Sequence, residues 1–234
     1  MANAVRWEWL SDAREEVDRW LSEHGEQDHF ITAPQDHALD AVQAFVASES
    51  VRAFLDDVVR QQFPERAHHL DGTAVRIVAG PHADGDAFWF HYDASAVTLV
   101  VPLFLPDAEP GRKGELVGFF NKRPFRGSMI RNIVEKFVHQ SGTFRQRIMR
   151  TLGIDGVGPT SVDMTVGDIY LFWGYRSLHA NMPLASGCRR VTLLVHYGQP
   201  HASSGALEAA KRLNLALRGG RADTTDQPAA AGAH

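Results

Sequence analysis

Between residues 74 and 198 the chain is built from β-branched and aromatic runs, VRIVAG, FWFHYDASAVTLVVPLFL, GELVGFF, VDMTVGDIYLFW and RRVTLLVHYG, punctuated by Gly, Pro and Asp. Such runs belong on a pleated, half-buried surface, with turn residues between strands. Only one insert has helical spacing, which disfavours a parallel doubly wound sheet and points to an antiparallel sandwich or barrel. The expected fold class is therefore mainly β with flanking helices, with a jelly roll as the leading topology. A chain of 234 residues, 44% of them hydrophobic, supplies one sizeable core, so a single domain is expected over residues 1–218.

The helical signal lies outside the β core of 74–200. In the N-terminal part, 1–65, Val5, Trp9, Leu10, Val17, Trp20 and Leu21 recur at near-helical spacing, with Ser11 and Asp12 available as a cap. From about Gln35 to Phe63 a second stripe, Ala41, Val42, Phe45, Val51, Phe54, Leu55 and Val58, predicts an amphipathic helix that Pro64 ends. A helical insert is expected over 122–153, where Ile130, Ile133, Val134, Phe137 and Val138 share a face and eight Lys and Arg side chains meet the single acid Glu135. Two readings of that insert stand: a solvated helix face, or a lid that receives an anionic substrate. A C-terminal helix over 204–218 is followed at 219–234 by a Gly/Ala-rich tail without periodicity, expected to be disordered.

A net charge of -4 provides no global field for nucleic acid or a membrane surface, so neither is expected as a partner. The single cysteine, Cys188, cannot form an internal disulfide or a thiolate cage. The N-terminus has charges throughout and no continuous apolar core of a signal peptide, and no run approaches the roughly 18 apolar residues of a membrane helix. A soluble, cytoplasmic protein is expected.

Within FWFHYDASA, residues 88–96, strand alternation would turn His91 and Asp93 to one face and Tyr92 to the other. Either that face is solvated or it belongs to a shared site. The further residues that a site would need stand in GDIYLFWGYRSLHANMP, where an apolar strand runs out at Trp173-Gly174 and His179 follows. Two histidines and a carboxylate can occupy one face of an octahedral metal, leaving three positions for exchangeable ligands, as non-haem Fe(II) oxygen chemistry requires. Beyond His179, Arg190 and Thr192 share a strand face. A guanidinium is a rigid two-pronged donor for a carboxylate, and a hydroxyl beside it can donate to the same oxygens.

The ordered set of H-Y-D at 91–93, His179 and R-V-T at 190–192 resembles the motif of the Fe(II)/2-oxoglutarate-dependent oxygenases, and GELVGFF from Gly114 resembles a recurring strand of that superfamily. The similarity covers about residues 75–200, and HANMPLASGCRR is reminiscent of the phytanoyl-CoA dioxygenase-like branch. The resemblance implies a double-stranded β-helix with Fe(II) held by His91, Asp93 and His179. It also implies 2-oxoglutarate as co-substrate, with its distal carboxylate on Arg190 and Thr192. The implied activity is a dioxygenase that consumes molecular oxygen and oxidises a C–H bond of a small molecule, giving succinate and CO2; an anionic group on that substrate is expected only on the lid reading of the basic insert. Hydroxylation is the default outcome, because the carboxylate that related halogenases replace is present as Asp93.

Other residues keep two readings. His196 shares the face of Arg190 and Thr192, where it is either a hydrogen-bonded core histidine or a neighbour of the co-substrate. Arg189 should point away as a surface charge. His68, His69 and His82 stand in loop-like sequence. Trp173, Tyr175 and Arg176 either pack the core or shape the pocket, and Glu115 either supports the site or ends a strand. The rival function is a cupin-like, redox-neutral or sensory protein that binds a metal or a small acid, which explains the strands and histidines but gives Arg190 and Thr192 no purpose.

Overall fold

The computed structural model describes residues 4–65, 67–80, 87–124, 146, 148–152 and 157–200. Eight strands lie among them: β1 (His29–Thr32), β2 (Leu70–Val78), β3 (Val97–Phe104), β4 (Leu116–Phe119), β5 (Thr160–Val162), β6 (Tyr170–Phe172), β7 (Leu178–Asn181) and β8 (Arg190–Tyr197). They form a five-stranded sheet, β1-β2-β8-β3-β6, and a three-stranded sheet, β5-β4-β7. Every pairing is antiparallel.

Strand β8 shows how sequence alternation divides the molecule. Val191, Leu193, Val195 and Tyr197 are buried in the main core with the helices, while Arg190, Thr192, Leu194 and His196 take the opposite face. The helical side is supplied by α1 (Trp7–His24), α2 (Asp40–Ala47) and α3 (Glu49–Arg60). In α1 the buried positions Leu10, Ala13, Val17, Trp20 and Leu21 follow the helical repeat, and Gly25 at φ 83° ends the helix with its N–H on the Leu21 carbonyl. On the other face, Val100 of β3 and Phe172 of β6 pack against Leu116 of β4, so the two sheets enclose a second, smaller core.

Several expectations change. The helix expected from Gln35 to Phe63 is a 3-10 turn, Pro34–His37, followed by α2 and α3. Ser48 leaves the helix at ψ 130° and its carbonyl accepts the Arg52 N–H, so the Ser-Glu-Ser stretch restarts a helix where apolar periodicity alone runs through. The four-residue β1 interrupts the N-terminal helical part, with only Ile31 buried, too short for periodicity to reveal. FWFHYDASA is not a strand, apart from an isolated bridge at His91. Phe88 takes φ 57°, the Phe90 N–H reaches the Phe88 carbonyl at 2.9 Å, and β3 begins only at Val97. The apolar strand β6 does end before Trp173-Gly174, and His179 beyond it stands inside the next strand, β7.

Arg189 does point away from Arg190, but it is not merely a surface charge. It pairs with Asp18 at 2.8 Å and Glu26 at 3.0 Å and lies over the Phe104 ring, tying β8 to the end of α1. Most of the insert expected over 122–153 lies outside the described residues, as do the helix expected over 204–218, the tail 219–234 and His82. No described helix is long and apolar enough to cross a membrane.

Candidate metal centre

His91 and His179 are locked together by the backbone. Each donates its N–H to the other's carbonyl at 2.9 Å, an isolated antiparallel bridge between the segment before β3 and β7. The Asp93 N–H then reaches the Gly174 carbonyl at 3.2 Å, in the 3-10 turn Gly174–Arg176 that leads into β7. These bonds bring three side chains from two distant stretches to one place. His91 Nε2 lies 3.6 Å from Asp93 Oδ1, and His179 Nε2 lies 3.6 Å from Asp93 Oδ2. One potential ligand atom from each of the three falls within 4.8 Å of the others.

The imidazoles are held in the tautomer that a cation needs. His91 Nδ1 lies 2.9 Å from the Trp89 carbonyl and His179 Nδ1 lies 3.0 Å from the Ser177 carbonyl. A carbonyl only accepts, so the proton of each neutral ring stands on Nδ1 and the lone pair on Nε2 faces Asp93. Burial pushes the Asp93 carboxyl up. His179, His196 and His91, together with the Thr98 hydroxyl, outweigh it and hold the group well below the usual carboxylate range. Two neutral nitrogen donors and one anion suit a divalent transition metal. The set is accessible from one side: the His91 side chain is 37% exposed and that of His179 only 8%.

Arg190 is buried on the same side of the large sheet. Its Nη1 donates to the Gly114 carbonyl and, at 2.8 Å, to Asn181 Oδ1, while its Nε has no hydrogen-bond partner. Among the described residues no carboxylate forms an ion pair with it. Burial lowers the guanidinium to about 10, with Arg76 adding to the effect and Asp28 and Glu115 opposing it. Thr192 is buried beside it on the same face, opposite Arg76 and Pro102 in register. Asn181 stands two residues beyond His179 on the same face of β7, a separation of roughly 7 Å at strand rise. The unpaired cation therefore lies within the reach of a short dicarboxylate from the histidine.

No family model matches the sequence, and no curated protein matches it. Solved structures do. HygX from Streptomyces hygroscopicus, crystallised with nickel and 2-oxoglutarate bound, is 12% identical with a TM-score of 0.57, over 85% of this chain and 81% of that one. AviO1 from Streptomyces viridochromogenes Tue57 is 13% identical with a TM-score of 0.53, over 84% of this chain and 87% of that one. SnoN, a non-heme alpha ketoglutarate dependent epimerase from nogalamycin biosynthesis, is 12% identical with a TM-score of 0.52, over 84% of this chain and 75% of that one. The fold is a double-stranded β-helix.

Three glycines shape this double-stranded β-helix around the polar set. A Cβ on Gly174 would collide with Asp93 Oδ2 and Thr98 Oγ1, and would come 2.9 Å from Asp93 Cβ. On Gly118 it would meet the Leu178 carbonyl at 2.7 Å and His179 Cβ at 3.0 Å. A Cβ on Gly114, which stands at φ 70°, would come 3.1 Å from Arg190 Cδ. The sequence signal for these positions was available, since a glycine inside a β pattern marks a close approach. Its partner is not written in the sequence.

The remaining residues fall into place around these groups. His196 is hydrogen-bonded to Thr98 behind Asp93 rather than to Arg190. Glu115 accepts the N–H groups of Gly111 at 2.5 Å and Lys113 at 3.1 Å, bending the loop that presents the Gly114 carbonyl to Arg190. Arg123 is buried between the rings of Tyr92 and Tyr175 and donates to the Tyr175 carbonyl, so one guanidinium fastens the His91–Asp93 segment to the turn before His179. Arg176 bonds the Arg123 and Asn121 carbonyls. Trp173 packs against the main core and Cys188 against Val78 and Leu184. His68 and His69 make backbone-linked contacts elsewhere. A shallow depression of about 420 Å³ between α3 and the end of β8 has His68 and Tyr197 in its wall and shares no residue with the metal set.

Proposed function

We propose that this chain is a non-haem Fe(II)- and 2-oxoglutarate-dependent oxygenase that hydroxylates a C–H bond of a small molecule. His91, Asp93 and His179 hold the metal in this reading, and Arg190 with Thr192 holds the distal carboxylate of 2-oxoglutarate. One observation carries it: two imidazole Nε2 atoms face one carboxylate, and on the same side of the sheet stands a buried arginine whose Nε has no hydrogen-bond partner and which forms no ion pair among the described residues. A buried cation without a counter-charge is unfavourable, and a bound carboxylate relieves it. The structural neighbours support the reading, HygX having been crystallised with nickel and 2-oxoglutarate bound and SnoN being a non-heme alpha ketoglutarate dependent epimerase.

When bound, iron and 2-oxoglutarate supply the oxidation, dioxygen being consumed and succinate and CO2 formed. The protein's own groups place the reactants. The Trp89 and Ser177 carbonyls accept from the two Nδ1 atoms, which in the neutral rings leaves the lone pairs on Nε2, and Arg190 orients the co-substrate from its far end. The more exposed His91 flank gives the prime substrate its approach. The anionic substrate expected from the basic insert stays part of the proposal, as does the assignment of residues 1–218 to a single domain.

Anaerobic addition of Fe(II) and then 2-oxoglutarate is expected to produce a weak visible metal-to-ligand charge-transfer band, and admission of oxygen should release succinate. Bound metal with neither band nor succinate would favour the redox-neutral, cupin-like alternative.

A further inference from the structure

Thr98 is the buried polar side chain of β3 that faces the metal set, 2% exposed and opposite His196 in register. Its Oγ1 donates to Asp93 Oδ2 at 2.5 Å and lies 3.2 Å from His196 Nδ1. A hydroxyl has one proton and two lone pairs, and an ionised carboxylate only accepts. The Thr98 proton therefore goes to Asp93, and its lone pair receives the N–H of His196. The row has one polarity, His196 to Thr98 to Asp93.

That row treats the two carboxylate oxygens differently. Oδ2 is tied back to the sheet by Thr98 and hemmed in by Gly174, where even one methyl has no room. Oδ1 carries no such bond and lies on the His91 side. We infer that Thr98 and His196 are positioning residues that hold Asp93 as a one-oxygen ligand, restraining Oδ2 and presenting Oδ1 to the metal. This rests on the reading of Asp93 as a metal ligand. Its consequence is a count of open positions: two imidazoles and one oxygen leave three sites on an octahedral ion, whereas a carboxylate bound through both oxygens leaves two. A bidentate co-substrate together with dioxygen needs all three.

The test uses Co(II) bound to the full chain under anaerobic conditions, read by its visible bands and by titration, without turnover. Thr98→Val keeps the shape and removes the hydroxyl. It should weaken Co(II) binding by about 10–100-fold, the range found for groups that orient metal ligands, and should shift the visible bands. Thr98→Ser should restore both to near the wild-type values, and His196→Phe should weaken binding in the same direction as Thr98→Val. Wild-type binding and bands in Thr98→Val overturn the inference, as does a Thr98→Ser protein as impaired as Thr98→Val. If Thr98→Val does not fold, His196→Phe decides, and wild-type binding in it overturns the inference. Asp93→Ala separates the two levels: metal bound at wild-type strength there refutes the ligand assignment itself, whereas its loss beside an unaffected Thr98→Val refutes only the positioning role.

Discussion

Gly174→Ala is expected to strip the protein of its metal affinity. The added methyl would occupy the place where Asp93 Oδ2 and Thr98 Oγ1 meet, and would crowd Asp93 Cβ at 2.9 Å. The backbone has little freedom to retreat, because the Gly174 carbonyl receives the N–H groups of Asp93 and Ser177. Asp93 must then swing off its bond to Thr98. Removing a group that merely orients a ligand costs about 10–100-fold in affinity, so displacing the ligand should cost on the order of 100-fold or more. Overpacking adds about 1–3 kcal/mol of destabilisation. Metal titration and a thermal melt of the same sample measure the two effects, and a variant that binds Fe(II) at wild-type strength would show that Asp93 is not held where the metal needs it.

Arg190→Met should separate stability from co-substrate binding. The guanidinium is buried, its Nε has no hydrogen-bond partner, and no carboxylate among the described residues forms an ion pair with it. Its removal abolishes a desolvation penalty of several kcal/mol, while leaving the Gly114 carbonyl and Asn181 Oδ1 without their donor, at about 1–3 kcal/mol. The two oppose each other, so the melting temperature should move little. The affinity for 2-oxoglutarate should instead fall steeply. Truncating one partner of a buried, hydrogen-bonded charge pair costs about 2–5 kcal/mol, at least roughly 30-fold in Kd. Saturating 2-oxoglutarate should raise the melting temperature of the wild-type protein and not that of the variant, with Fe(II) affinity preserved in both. Unchanged 2-oxoglutarate affinity would move the carboxylate clamp elsewhere.

The sequence was legible where residue chemistry is scarce and specific. His91, Asp93, His179 and Arg190 were recognisable because few structural roles call for those groups in β-rich surroundings. The strand core was legible because β8 alternates along its length between apolar residues of the main core and the set Arg190, Thr192, Leu194 and His196 on the other face. The conformation of 88–93 was not, because Phe, Trp and Phe have strand propensity while the chain turns there, with Phe88 in the left-handed region. The reason is tertiary: the bridge of His91 to His179 fixes the segment's path, and nothing local announces it. Ser48 escaped for a different reason, since one residue at ψ 130° breaks the helix inside a stripe that remains apolar on both sides. Thr98, Asn181 and the three glycines are ordinary residues that acquire meaning only from what folds against them.

The backbone bridge between His91 and His179 also bears on when the proposed metal site would form. One histidine is made well before the other, and a growing chain that presents His91 and Asp93 alone holds only part of a metal site. The contact joins positions distant in sequence, so it forms with the slow, non-local pairing of the two sheets and not with the early helices. Its hydrogen bonds are between peptide groups and need no ion to close them. On the proposed reading of these three residues as metal ligands, peptide hydrogen bonds would gather them, and a folded chain would take up its metal afterwards.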